Sequence, residues 1–238
     1  MKKYHINFAK GRYQQAQIYC SNSAKEVGFD EVISYSENDI DKEFYEKNQH
    51  ILNQQRGVGY WLWKPYFIHK TLEKIDYGDL LVYSDSGSIY QKPVDELISK
   101  ILLEKEGVLS FELLGLIENV YTKRDTFVLM DLDEPKYTES SQREATYIWL
   151  IKNEFTTNLI DEYLFYAQNE AIITDKPSEN INYKDFKDHR HDQSIWSLLC
   201  KKYEIAPHRL ISQHGLHLIN DFPNDKYGQI TLHHRNPI

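Results

Sequence analysis

The chain has 238 residues, with 28 Lys and Arg against 36 Asp and Glu, a formal net charge of -8, 13% aromatic residues and two cysteines. That length suits one domain with a full hydrophobic core, taken here as residues 1–238. The acidic balance, without any Lys/Arg cluster, argues against a nucleic-acid partner, which would call for a basic face.

The start, MKKYHINFAKGRYQQ, lacks the apolar stretch of a secretory leader, and no apolar run is long enough to span a bilayer, so a cytoplasmic protein is expected. Tyr4 to Phe8 reads as a first strand and Ala9 to Tyr13 as a loop. A helix from Gln14 to Val27 follows, ended by Gly28, and Glu31 to Tyr35 supplies a second strand. This is the opening of an α/β sheet. Arg12, in the loop after the first strand, is placed either to meet a phosphate or to lie solvated at the surface.

Asn38 or Asp39 is expected to cap a helix from Asp41 to Gln55, broken by Gly57 and Gly59. The run GYWLWKPYFIHK then places Pro65 in the first turn of a helix with Tyr66, Phe67, Ile68 and Leu72 on its buried side. Trp61 and Trp63 suit a core plug better than a ligand contact. Lys64 differs, because a charge among aromatics needs a phosphate or a carboxylate.

The stretch GDLLVYSDSGSIY, Gly78 to Tyr90, has the unbroken apolar run of a strand covered on both faces, then a small polar end at Ser84 to Ser88. Ligands of open α/β sheets bind beyond the carboxyl ends of strands, which places Asp85 at such a rim; a plain Asp-Ser-Gly turn fits the same residues. A helix is expected over Pro93 to Glu104 and a strand over Gly107 to Leu113. Thr122 and Asp125 have capping-box spacing for a helix reaching Leu132, and Asp131, Asp133 and Glu134 read as a solvated helix end rather than a calcium loop. Lys136 to Arg143 reads as a flexible loop over a site, Ala145 to Ile151 as a strand, Phe155 to Gln168 as a helix and Thr174 to Lys187 as a second polar loop.

HRHDQSIWSLLCKKY, His189 to Tyr203, is a buried helix whose first turn carries His191, Asp192 and Gln193. The helix dipole stabilises a carboxylate there, so Asp192 also suits a structural cap. His208 to Ser212 reads as a short final strand before the tail TLHHRNPI. Seven of the ten histidines follow residue 188, and a meeting with Asp85 in space is what would make any of them metal ligands. Cys20 and Cys200, outside any CxxC pair, read as reduced buried thiols, and the 18 Tyr suit sugar stacking as well as cores.

Four stretches in order, YHINFAKGRY, RGVGYWLWKPYFI, LLVYSDSGSIY and HRHDQSIWSLL, with HHR near the end, resemble GT-A fold glycosyltransferases, in particular small bacterial enzymes of capsule and lipopolysaccharide synthesis. The resemblance implies a Rossmann-like α/β fold with a central mixed sheet flanked by helices, and transfer of a hexose, galactose or galactofuranose among the candidates, from a UDP-sugar to a cell-surface glycan. The acceptor would be a glycan or a lipid-linked oligosaccharide at the cytoplasmic face of the membrane. In that family a DxD motif holds Mn²⁺ or Mg²⁺ on the nucleotide diphosphate. Here the motif reads Asp85, Ser86, Gly87, so the second carboxylate is missing, and His233 or His234 looks similar to the C-terminal histidine that completes the metal site. Asp192 and Gln193 look similar to the catalytic Asp-Gln pair, and Phe8, Ala9, Arg12, Lys64, Ser84, Ser86, His191 and Arg235 fall where substrate contacts are implied. Two other readings remain open on the residues: a metal-dependent phosphoester hydrolase using the late histidines with Asp85, and a non-catalytic sugar-binding module on the same fold.

Overall fold

A computed structural model of the chain describes residues 1–234. Among them nine strands form: β1 (Lys3–Phe8), β2 (Glu31–Tyr35), β3 (Leu80–Ser84), β4 (Ser88–Tyr90), β5 (Val108–Ile117), β6 (Ser141–Arg143), β7 (Tyr147–Ile151), β8 (Pro207–His208) and β9 (Thr231–His233). Seven make a mixed sheet of order β2-β1-β3-β7-β5-β6, with β8 also on β5, while β4 and β9 pair by themselves. β1 runs parallel to β2 and β3, and β7 is antiparallel to β3 and β5.

β3 lies between β1 and β7 and is buried along its whole length. Its side chains alternate between two cores, as strand geometry requires. Leu81 and Tyr83 join Phe67, Ile160 and Trp196 from the helices Trp63–Leu72, Glu154–Ala167 and Asp192–Lys202. Leu80 and Val82 join Ala24, Leu97 and Ile101 from the helices Gln14–Glu26 and Asp95–Ile101 on the other face. β7 repeats the pattern, with Ile148 and Leu150 on the first side and Tyr147 and Trp149 on the second. Cys20 and Cys200 are free buried thiols.

Several local expectations need correction. The second long helix covers Lys42–Leu52 with Asp41 at its start, because Asp39 is used to close the preceding turn through Ser36. The helix expected over Pro93 to Glu104 is shortened to Asp95–Ile101. No capping box forms between Thr122 and Asp125. The Thr122 hydroxyl donates to Glu118 at 2.7 Å, and Asp125 accepts from the Glu179 and Asn180 amides at 2.8 and 2.9 Å. Lys136 to Arg143 is not a loose flap: Pro135 starts the one-turn helix Pro135–Thr138, and β6 follows with Gln142 fully buried. The final strand is β9 rather than His208 to Ser212, since Ser212 makes a single bridge to Thr231.

Candidate active site

The carboxyl ends of β1 and β3 reach the same edge of the sheet as the start of β7, which runs the other way. Opposite that edge, the helix Asp192–Lys202 begins. Between them lies a cleft of about 160 Å³ lined by Lys64, Asp85, Thr146, His191, Asp192 and Gln193, with Arg56, Trp61 and Arg190 at its border.

Lys64 is the centre of the cleft wall. Its side chain is only 3% exposed, and its ammonium meets Asp192 Oδ2 at 2.6 Å, Asp85 Oδ1 at 3.4 Å and the Ala145 carbonyl at 3.0 Å. Three donors thus face three acceptors, and the charge also stands 5.1 Å above the Tyr83 ring. Burial opposes the charge on Lys64, but the carboxylates of Asp192 and Asp85 outweigh it and hold the pKa above the ordinary lysine value. Asp192 moves the other way from the usual paired acid. Its burial pushes it up to about 6 against the pull of Lys64, and Asp85 adds to the rise. Tyr83 donates to Asp85 at 2.5 Å and Tyr163 to Asp192 at 3.4 Å; burial, then the carboxylates, keep both phenols protonated. One cation therefore holds two acids beside a solvent-reachable cleft.

The turn after β3 is fixed through the main chain. The Asp85 amide donates to Thr146 O at 3.0 Å, and Ser86 Oγ donates to Phe8 O at 2.6 Å. Gly87 is required by the C-terminal strand, because a Cβ there would lie 2.3 Å from the His234 carbonyl oxygen. Ser88 pairs with His233, and the His234 amide donates to Gly87 O at 2.8 Å. Both C-terminal histidines are thus brought to the turn that carries Asp85. Among the described residues no three His, Cys, Asp or Glu side chains form a ready metal-holding group.

The sequence reading placed Lys64, Asp85, His191, Asp192 and Gln193 in one site, and the structure brings them together. Phe8 and Ala9, expected to touch substrate, are instead buried and outside the lining of the cleft: Phe8 stacks on Trp63 at 4.1 Å, and the Ala9 amide donates to Tyr35 O. Ser84 does not face the cleft; its buried hydroxyl lies 2.7 Å from His5 Nε2, because alternation along β3 turns it inward. Arg12 is an exposed residue laid over the neighbouring Tyr13 ring, outside the lining of the cleft. Arg235 lies outside the described residues.

Three features escaped the sequence reading. Gly57 to Trp61 all have positive φ, including the β-branched Val58 at 54°, so this segment is a strained left-handed turn. It stacks Trp61 on the His191 ring at 5.4 Å, half-buried and packed against the core that holds Trp63, as the plug reading expected, while Trp61 also borders the cleft. His191 itself has a φ of 52°, and burial drops its imidazole to about 4; neutral, it donates from Nδ1 to Ile173 O at 2.7 Å. The second is Arg56, which ties the 174–187 segment and its continuation over the site through Asp175 at 2.9 Å and Asp188 at 3.1 Å. Its position just before two glycines was the available signal. The third is a buried network behind Gln193, through Gln142 and Glu118, for which the linear sequence offers no signal.

A scan against protein-family models and a search of curated proteins give no match. Among solved structures, the chain is similar to mouse xyloside xylosyltransferase 1 in its apo form, at 11% identity over 98% of this chain and 97% of that one, with a TM-score of 0.52. It is also similar to the apo WbbM bifunctional glycosyltransferase, at 12% identity over 99% of this chain and 46% of that one, with a TM-score of 0.55. The fold is that of the GT-A type glycosyltransferases: a mixed sheet between helices, with the cleft at its strand ends.

Proposed function

We propose that the protein is a metal-assisted glycosyltransferase that moves a hexose from a nucleoside diphosphate sugar, UDP being the leading nucleotide, to a glycan or lipid-linked oligosaccharide. The observation that carries this reading is the Lys64 ammonium bridging Asp85 and Asp192 at the rim of β3. Departure of a nucleoside diphosphate builds negative charge; Lys64, whose three N–H groups are taken by Asp192, Asp85 and the Ala145 carbonyl, would hold those two acids in place, and a cation on Asp85 would offset the charge of the leaving group. Asp192 and Gln193 line the same cleft, and their oxygen atoms would face the sugar carbon as it gains positive character while its bond to the diphosphate stretches. Asp85 with His233 or His234 would hold a divalent cation, whose chemistry is to neutralise the diphosphate oxygens.

The late histidines do not form a single hydrolytic centre, which weakens the phosphoesterase reading. His189 and His191 bond the carbonyls of Ile172 and Ile173, whereas His208 packs against Asp225. Among the described residues no helix is long and apolar enough to cross a membrane.

The test is incubation of the protein with Mn²⁺, a panel of nucleotide sugars and simple glycan acceptors. Donor-specific release of nucleoside diphosphate with sugar transfer is expected. Phosphate release from simple esters would support the hydrolase instead, and sugar binding without turnover a non-catalytic module.

A further inference from the structure

We infer that Gln142 and Glu118 are positioning residues that fix which end of the Gln193 amide faces the cleft. The inference rests on the reading above, in which Gln193 faces the donor sugar.

Glu118 begins the one-turn helix after β5 and is completely buried. Lys201 ion-pairs with its Oε1, which also accepts from the Ser197 hydroxyl, while Thr122 donates to Oε2 at 2.7 Å. A carboxylate held by an ammonium accepts hydrogen bonds and donates none. The Gln142 amide, also fully buried, stands 3.0 Å from Glu118 Oε2 and 3.1 Å from Thr122 Oγ1. Only its NH₂ end satisfies that contact, since the flipped amide would set two acceptor oxygens against each other. Gln142 Oε1 must therefore point the other way, where it meets Gln193 Nε2 at 2.8 Å. The same exclusion applies again: a flipped Gln193 would oppose oxygen to oxygen. Gln193 accordingly spends an N–H inside the protein and leaves Oε1 for the cleft.

The orientation of an amide is a chemical choice here. Its carbonyl oxygen stabilises developing positive charge on a sugar, whereas its NH₂ group would oppose it. The polarity set by Lys201 and Glu118 is thus passed through Gln142 to the atom that faces the substrate. Buried hydrogen-bond networks of this kind hold a single arrangement because each broken contact leaves an unpaired polar group.

The experiment is a double-mutant cycle on sugar transfer, with Gln142→Met, Gln193→Ala and the double variant, compared for kcat and donor KM. Gln142→Met is expected to lower kcat on the order of 10-fold, the scale of lost outer-shell orientation, with donor KM little changed. In the Gln193→Ala background it is expected to cost nothing further, because the group it orients is gone. Equal fold-losses in both backgrounds would overturn the inference, since they mark a purely packing role, as would an unchanged kcat in Gln142→Met while Gln193→Ala is impaired. If Gln193→Ala itself transfers at the wild-type rate, the role given to Gln193 fails and this inference with it. Should Gln142→Met not fold, Gln142→Asn replaces it in the same cycle, being an amide too short to reach Glu118 and Gln193 together.

Discussion

Replacing Asp192 by Asn is expected to make the protein more stable and less active at the same time. Burial pushes the Asp192 carboxyl up to about 6, from an ordinary aspartate value of 3.8, even with Lys64 at 2.6 Å. A folded-state value above the unfolded one means that the folded state holds the proton more tightly. Stability therefore falls as the pH rises from about 4 through 6 and stays low above it. That rise corresponds to about 3 kcal/mol at neutral pH. Asn keeps the shape and resembles the protonated acid, so Asp192→Asn should gain stability at pH 7, by less than that amount, because the buried Lys64 ammonium loses its nearer carboxylate and keeps only Asp85 and the Ala145 carbonyl. The charges facing the position are Lys64 and Asp85, with the Tyr163 phenol as a neutral donor, and none is removed by the change. Urea unfolding of both proteins at pH 7 and pH 4 provides the assay; the gain should shrink below about 1 kcal/mol at the lower pH. Transfer should fall by roughly 10²-fold or more, as when a charge-stabilising group is lost. Equal stability at pH 7, or a difference that does not change with pH, would refute the reasoning.

In the proposed reaction the ionised form of Asp192 would stabilise positive charge on the sugar, so kcat/KM should rise through a pH near 6 and level off above it, a limb that Asp192→Asn should lack. Gly87→Ala should displace the C-terminal strand, because its Cβ would meet the His234 carbonyl oxygen at 2.3 Å; weaker UDP binding in Mn²⁺, measured by calorimetry, is expected with a stability loss of about 1–3 kcal/mol. Lys201→Met should cost about 3–5 kcal/mol in denaturant unfolding, because it leaves the buried Glu118 carboxylate without its cation. Gly59→Ala should be at least as harmful to folding as an ordinary surface change is harmless: its φ is 91°, and a Cβ would lie 2.6 Å from the Leu52 backbone, which a lowered melting temperature would report.

The main strands β1, β2, β3, β5 and β7 and the longer helices between them were legible because local pattern determines them, whereas the short strands β4, β6, β8 and β9 were not. The unbroken apolar run of β3 identified a central strand, and both faces are indeed covered. The meeting of Lys64 with a carboxylate followed from one physical argument, that an ammonium among aromatics requires a partner, and it has two. What was not legible depends on tertiary neighbours. Thr122 and Asp125 have the spacing of a cap, but stronger partners from Glu118 and the 179–180 backbone claim them. Ser84 and Asp85 adjoin in sequence, yet strand alternation sends one inward to His5 and the other to the rim. The left-handed turn at Gly57 to Trp61 could be suspected from its glycines, but positive φ at Val58, Tyr60 and Trp61 runs against residue preference and is imposed by packing. Gln142 carried no signal at all, since its significance lies in being pinned between Glu118 and Gln193.

The account depends on the turn at Asp85 and the C-terminal histidines acting on one nucleotide diphosphate. Calorimetric titration of UDP into the wild type and Asp85→Ala, each with and without Mn²⁺, tests this most directly. The wild type should bind UDP far more tightly with the metal, and Asp85→Ala should lose that enhancement while still folding, at a lower melting temperature because Tyr83 loses its acceptor and Lys64 one of its two carboxylates. UDP affinity in Asp85→Ala that still rises with Mn²⁺ as it does in the wild type would contradict the account.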